Sequence, residues 1–235
     1  MIYLGKINLG LVSLLAIASL SSNPVPGWTQ PSSLEIAELP PAPDTGTPSD
    51  GQKTPGGSRD PKEIGACKQT DKPLTALVPQ KGNQGLTTAQ NPVLWFYIPY
   101  NPKEVHSIEF SLHNRAETAT VYRTSPQLTQ TPGVIGIPVP ANPEKSLKVN
   151  EPYHWYFQVN CDPQEKPENA VVLDGWVTRV EQSPKLRGVI WYDELTNRAK
   201  RYLSAPENPE VKKAWVEMLQ AVGLAGVAQA PVVSP

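Results

Sequence analysis

Asn91-Pro92-Val93-Leu94-Trp95-Phe96-Tyr97-Ile98-Pro99 decides the fold. Proline lacks a backbone N–H and fixes φ, so Pro92 opens the segment and Pro99 stops it. Between them Leu94, Phe96 and Ile98 share one face, while Val93, Trp95 and Tyr97 share the other. That period of two, in β-branched and aromatic residues, predicts a strand over 93–98.

The same alternation recurs on both sides. Ile108, Phe110 and Leu112 alternate with Ser107, Glu109, Ser111 and His113, a half-buried pattern. Tyr153, Trp155, Phe157 and Val159 alternate with His154, Tyr156 and Gln158. Shorter strands are expected at 74–78, 119–123 and 134–139, and a longer one at 171–180. There Asp174-Gly175 marks either a tight hairpin or a bulge. Seven short strands with Pro, Gly and Asn turns predict a two-sheet sandwich. Leu147, Asn150-Glu151-Pro152 and Tyr153-x-Trp155 favour an immunoglobulin-like version, with Tyr153 as a tyrosine corner whose hydroxyl bonds to upstream backbone. The alternative is that Tyr153 is an ordinary core aromatic.

After Ser183 the period lengthens to that of a helix. Trp191, Leu195, Arg198 or Ala199, and Tyr202 fall on one stripe. A second helix is capped by Asn208, started by Pro209 and Glu210, and stopped at Gly223. Its apolar face holds Val211, Trp215, Met218, Leu219 and Val222. The fold expected is mostly β with C-terminal α: an immunoglobulin-like β-sandwich followed by two helices packed on one sheet. If Trp155 points inward, Tyr156 and Trp176 point outward, too apolar a face for open solvent. The helices are expected to cover it, with Trp191 and Trp215 at the contact.

The N-terminal part differs in kind. Lys6 followed by the apolar run Leu9 to Leu20 and the small residues of 19–22 has the layout of a signal peptide at 1–22. The run is too short to span a bilayer, although an uncleaved anchor is the alternative. Residues 23–66 hold nine prolines, six glycines and Trp28 as the sole aromatic. So little apolar surface predicts a disordered Pro/Gly-rich linker. One globular domain is expected over 67–228, with the sandwich at 67–180, a helical extension at 183–224 and a disordered tail at 229–235. No integral membrane span is expected once the signal is removed.

The two cysteines, Cys67 and Cys161, both fall in the folded part, and an exported pair is most simply a disulfide. The alternative is two separate thiols. Formal net charge is −1, and no cluster of Lys and Arg stands out, so nucleic acid is not an expected partner.

Little in the chain carries chemistry. The three histidines, His106, His113 and His154, match no metal-ligand spacing. No G-x-S-x-G, phosphate-cradling loop or C-x-x-C is present. Asp193 and Glu194, after Trp191-Tyr192, superficially resemble a glycosidase pair. Neighbouring helical residues point about 100° apart, so these carboxylates are better explained by the helix dipole. No catalytic, metal or cofactor-binding residue is expected, and no cofactor. Trp95, Tyr97 and Tyr100 form a possible ligand-binding row for a sugar or an extended peptide; the bland alternative packs Trp95 and Tyr97 under helices or loops.

Several motifs in order resemble a known family: Leu74-Thr75-Ala76-Leu77-Val78-Pro79, Pro92 to Tyr100, Tyr153-His154-Trp155-Tyr156-Phe157, Cys161-Asp162-Pro163-Gln164, Gly175 to Val180, Ile190 to Leu195, and Trp215 to Leu224. Together they are similar to the cyanobacterial domain-of-unknown-function family 928. The likeness covers residues 65–232 and departs between Val180 and Ile190, where the family carries a longer helical connection. It implies a cyanobacterial exported protein and supplies neither an activity nor functional residues. The function expected is a non-enzymatic protein-interaction module of the periplasm or cell envelope, or a secreted one, with a protein partner. The alternative is a carbohydrate-binding module using exposed aromatics and taking a glycan.

Overall fold

The computed structural model describes residues 67–79, 84–164, 166, 169–183 and 190–233. The signal segment at 1–22, the linker at 23–66 and most of the connection before residue 190 lie outside the described residues. The strands are β1 (Thr75–Ala76), β2 (Gln84–Thr87), β3 (Val93–Ile98), β4 (Ser107–Asn114), β5 (Thr120–Thr124), β6 (Gly133–Pro138), β7 (Pro152–Asn160) and β8 (Val171–Arg179). Two helices follow, α1 (Trp191–Ser204) and α2 (Pro209–Ala221).

Strands β1-β3-β6 form one sheet and β2-β8-β7-β4-β5 the other. The sheets meet face to face through their apolar sides, as the alternation demands. Phe96 of β3 stacks on Phe157 of β7 with centroids 4.1 Å apart, and meets Trp155 edge-on at 5.5 Å. Such offset and edge contacts are the favoured aromatic geometries. Tyr153 makes the corner: its hydroxyl accepts from the Lys148 backbone N–H at 3.1 Å and donates to Glu151. Cys67 and Cys161 are joined by a disulfide that fixes the start of the domain to the end of β7.

Four expectations are corrected. The strand β2, Gln84-Gly85-Leu86-Thr87, has no run of apolar residues to announce it; it forms by parallel pairing with β8. Asp174-Gly175 is neither hairpin nor bulge. Strand β8 runs through it in unbroken register with β7, and Gly175 is required because a Cβ there would overlap the Trp155 indole. Residues 229–233, expected as a disordered tail, run beside β6, where Val134 donates to the Pro231 carbonyl and Val233 donates to Val134.

The fourth concerns the helices. Helix α1 packs on β3 and β2 instead of covering Trp176 and Tyr156. Trp191 donates its indole N–H to the Leu77 carbonyl at 2.7 Å, and Trp95 donates to Thr196 Oγ1 at 3.0 Å. The wholly buried Tyr192 ring occupies the space that Gly85 leaves open. Helix α2 follows behind α1, with Trp215 against Tyr202 and Arg198 donating to the Ala214 carbonyl. Asn208 caps α2 by accepting from the Glu210 and Val211 N–H groups, and Gly223 closes it at φ 85°.

Candidate functional site

Helix placement leaves the outer face of the five-stranded sheet as the region where polar groups gather. The apolar side of β7 goes inward, so His154, Tyr156 and Gln158 go outward. Register then fixes their neighbours: His154 lies between His113 of β4 and Trp176 of β8, and Tyr156 lies between Ser111 and Asp174. Cross-strand neighbours on one face stand within side-chain reach.

His154 is the centre of this array and is buried. Its Nδ1 lies 2.5 Å from Glu117 Oε1, and its Nε2 lies 2.8 Å from Asp174 Oδ2. Its ring lies parallel to the Trp176 indole, with centroids 4.3 Å apart. Tyr156 Oη is 3.2 Å from Glu117 Oε2 and 3.0 Å from His154 Nδ1. Glu117 reaches the array from the turn between β4 and β5, where its backbone adopts φ 56°. A non-glycine residue in that left-handed region is uncommon and is held there by its surroundings. On the flank, His113 Nε2 is 3.0 Å from Ser111 Oγ, and the His113 ring meets Tyr156 edge-on.

The electrostatics follow from these contacts. Burial alone would lower the His154 pKa. The hydrogen bonds to Asp174 and Glu117, together with their charges, prevail and raise it. Glu117 is held below the usual carboxylate range, chiefly by its hydrogen bond to His154. Burial, reinforced by the Glu117 charge, pushes the Tyr156 hydroxyl up to about 12. Burial lowers His113. A neutral imidazole has one donor, whereas both ring nitrogens of His154 face carboxylate oxygens, so this geometry belongs to the imidazolium. Among the described residues no group of three or more His, Cys, Asp or Glu side chains is placed to hold a metal ion.

The aromatic row is corrected. Trp95, Tyr97 and Tyr100 are 5%, 7% and 3% exposed, so they form a packed layer and offer no open platform to a sugar. The carboxylates of the Trp191-Tyr192-Asp193-Glu194 run serve separate purposes. Asp193 Oδ1 accepts from Thr87 Oγ1, while Oδ2 accepts from the Thr88 backbone N–H and hydroxyl, tying α1 to the end of β2. Glu194 pairs with Arg198 one turn on. A shallow hollow of about 270 Å³ between Asn91, Val93, Asp193, Asn197 and Lys200 does place Asp193 beside a second titratable group. Both oxygens of Asp193 are nevertheless engaged by Thr87 and Thr88.

Of the residues flagged from sequence, Cys67 and Cys161 are brought together and His154 lies at the centre of the array. Tyr156 was flagged only as an outward-pointing aromatic and Asp174 only as part of a turn or bulge, and Glu117 was not flagged. The outward-facing half of β7 is the signal that points to Tyr156; Asp174 needs the β7–β8 register as well.

Among the described residues no helix is long and apolar enough to cross a membrane. The sequence model of a family described as Domain of Unknown Function (DUF928) matches residues 54–189 and 186–232. No curated protein and no solved structure matches.

Proposed function

The chain belongs to the family described as Domain of Unknown Function (DUF928), and on that premise we propose that it is an exported, non-enzymatic module of the cell envelope. It binds a protein partner through the outer face of its five-stranded sheet. The cyanobacterial origin implied by the sequence motifs belongs to the same proposal.

The observation that carries the proposal is the state of the polar groups on that face. His154, Glu117, Asp174 and Tyr156 are bonded to one another on the outer face of the sheet. Catalysis needs a nucleophile or base directed at a substrate atom, in a concavity from which water is shut out. Here the polar groups are turned to one another, and they hold the outer face in one fixed arrangement of the kind that partner proteins recognise. Val172, 36% exposed, stands on the same face next to Gln158 and supplies an apolar contact point. Export is supported by the apolar run at 9–20 and by the disulfide, a bond that persists in oxidising compartments.

The test is affinity capture from envelope extract with the tagged chain lacking residues 1–22, beside the Val172→Arg variant. A protein retained by the first and lost with the second supports the proposal. Nothing above background, or equal retention by both, overturns it.

A further inference from the structure

We propose that His154, Tyr156 and Glu117 form a proton-operated clasp: the protonation state of His154 decides whether the turn between β4 and β5 is tied to the outer face of the sheet. This inference stands apart from partner binding and rests on the position of one hydroxyl.

Tyr156 Oη lies within reach of two acceptors, Glu117 Oε2 at 3.2 Å and His154 Nδ1 at 3.0 Å. When His154 is an imidazolium, Nδ1–H donates to Glu117 Oε1, Nε2–H donates to Asp174, and the Tyr156 hydroxyl is left to donate to Glu117 Oε2. Glu117 then receives two donors from β7. When the Nδ1 proton leaves for solvent, Nε2–H keeps its bond to Asp174. Nδ1 now offers a lone pair, which repels Glu117 Oε1 and accepts the Tyr156 hydroxyl. One proton departs and one hydroxyl rotates, and Glu117 loses both donors together.

The backbone at Glu117 makes that loss matter. At φ 56° the residue occupies a conformation that side chains disfavour, so its side-chain anchors help to hold the turn. What remains is local: Glu117 N–H donates to the Asn114 carbonyl, Ala119 N–H donates to Asn114 Oδ1, and Asn114 donates to Thr118.

The groups facing His154 come from every neighbouring element. Asp174 and the Trp176 ring come from β8, Tyr156 from β7, His113 from β4, Glu117 from the turn, and Arg123 of β5 lies beyond His113. Opposition by two carboxylates keeps the imidazolium above its ordinary range, despite burial. Tyr156, raised to about 12, stays protonated and able to donate throughout.

The test uses the tagged chain, ¹⁵N-labelled in histidine and in the backbone, followed by NMR from about pH 5 to about pH 9. Both His154 ring nitrogens carry protons at the acid end, and Nδ1 alone loses its proton as pH rises. Hydrogen-exchange protection at the Glu117 and Ala119 amides, corrected for intrinsic exchange, falls by about tenfold or more with the same midpoint. Tyr156→Phe removes the hydroxyl that passes between Glu117 and Nδ1 as the ring titrates, so the His154 midpoint moves. A purely structural tyrosine would leave it in place. The proposal is overturned by a singly protonated ring at the acid end, by protection that ignores the titration, or by a midpoint that Tyr156→Phe leaves unmoved.

Discussion

The imidazole of His154 lies flat against the indole of Trp176, the planes within 5° of each other and the centroids 4.3 Å apart. An imidazolium over an aromatic face gains from the ring quadrupole as well as from contact. The stack covers one face of an outward-pointing tryptophan that is itself buried. At that ring β4, β7, β8 and the β4–β5 turn meet around a single side chain.

Stability should depend on pH through that side chain. The folded pKa of His154 lies above its ordinary 6.5. Its contribution is therefore complete below that value and is lost as pH rises through the folded pKa. Glu117 lies below its ordinary 4.5, so its contribution is present above that value and fades as pH falls through the folded pKa. His113, lowered by burial, opposes His154. The difference in urea-unfolding stability between the wild type and His154→Gln is expected to peak in the mildly acidic range and shrink toward alkaline pH.

Asp193 and Glu194 are adjacent in sequence and unequal in weight. Asp193→Ala strips three hydrogen bonds from the junction of α1 and β2 and should cost about 2–3 kcal/mol. Glu194→Ala breaks one helical pair with Arg198 and should cost less than about 1 kcal/mol. Chemical denaturation of both variants reads the contrast directly.

Gly85 is a packing requirement. Its missing Cβ is the space taken by the Tyr192 ring. Gly85→Ala should destabilise by about 1–3 kcal/mol through overpacking, seen as a lower Tm. Tyr192→Leu in the Gly85→Ala background should recover part of that loss, because it removes the clash.

The disulfide closes a loop with a sequence separation of 94. A loop of that size stabilises by about 4–5 kcal/mol in the chain-entropy treatment. The Cys67→Ala, Cys161→Ala double variant should therefore melt well below the oxidised chain. Adding reductant should lower the melting of the wild type and leave the variant unchanged.

Much of this architecture was legible from period alone. Strand β3 was bounded by Pro92 and Pro99, and α2 by Asn208 and Gly223, because those residues act locally on the backbone. Strand β2 was not, since Gln84-Gly85-Leu86-Thr87 gains its extended form from β8 and from the Tyr192 ring above Gly85. The helices were read correctly as helices and placed on the wrong face. Amphipathic period tells which side of a helix is buried and does not tell against what. The array around His154 was hidden for a related reason. Glu117 lies 37 residues and Asp174 20 residues away in sequence, and only strand register and a left-handed turn bring them together.

The most direct test of the central claim is photo-crosslinking in the envelope fraction from two exposed apolar positions. Val172 lies on the outer face of the five-stranded sheet, and Leu203, 41% exposed, lies on α1 and serves as the control. A photoreactive residue at 172 should give a discrete protein adduct, and one at 203 should give none. An adduct from 203 alone, or from neither position, would contradict the account.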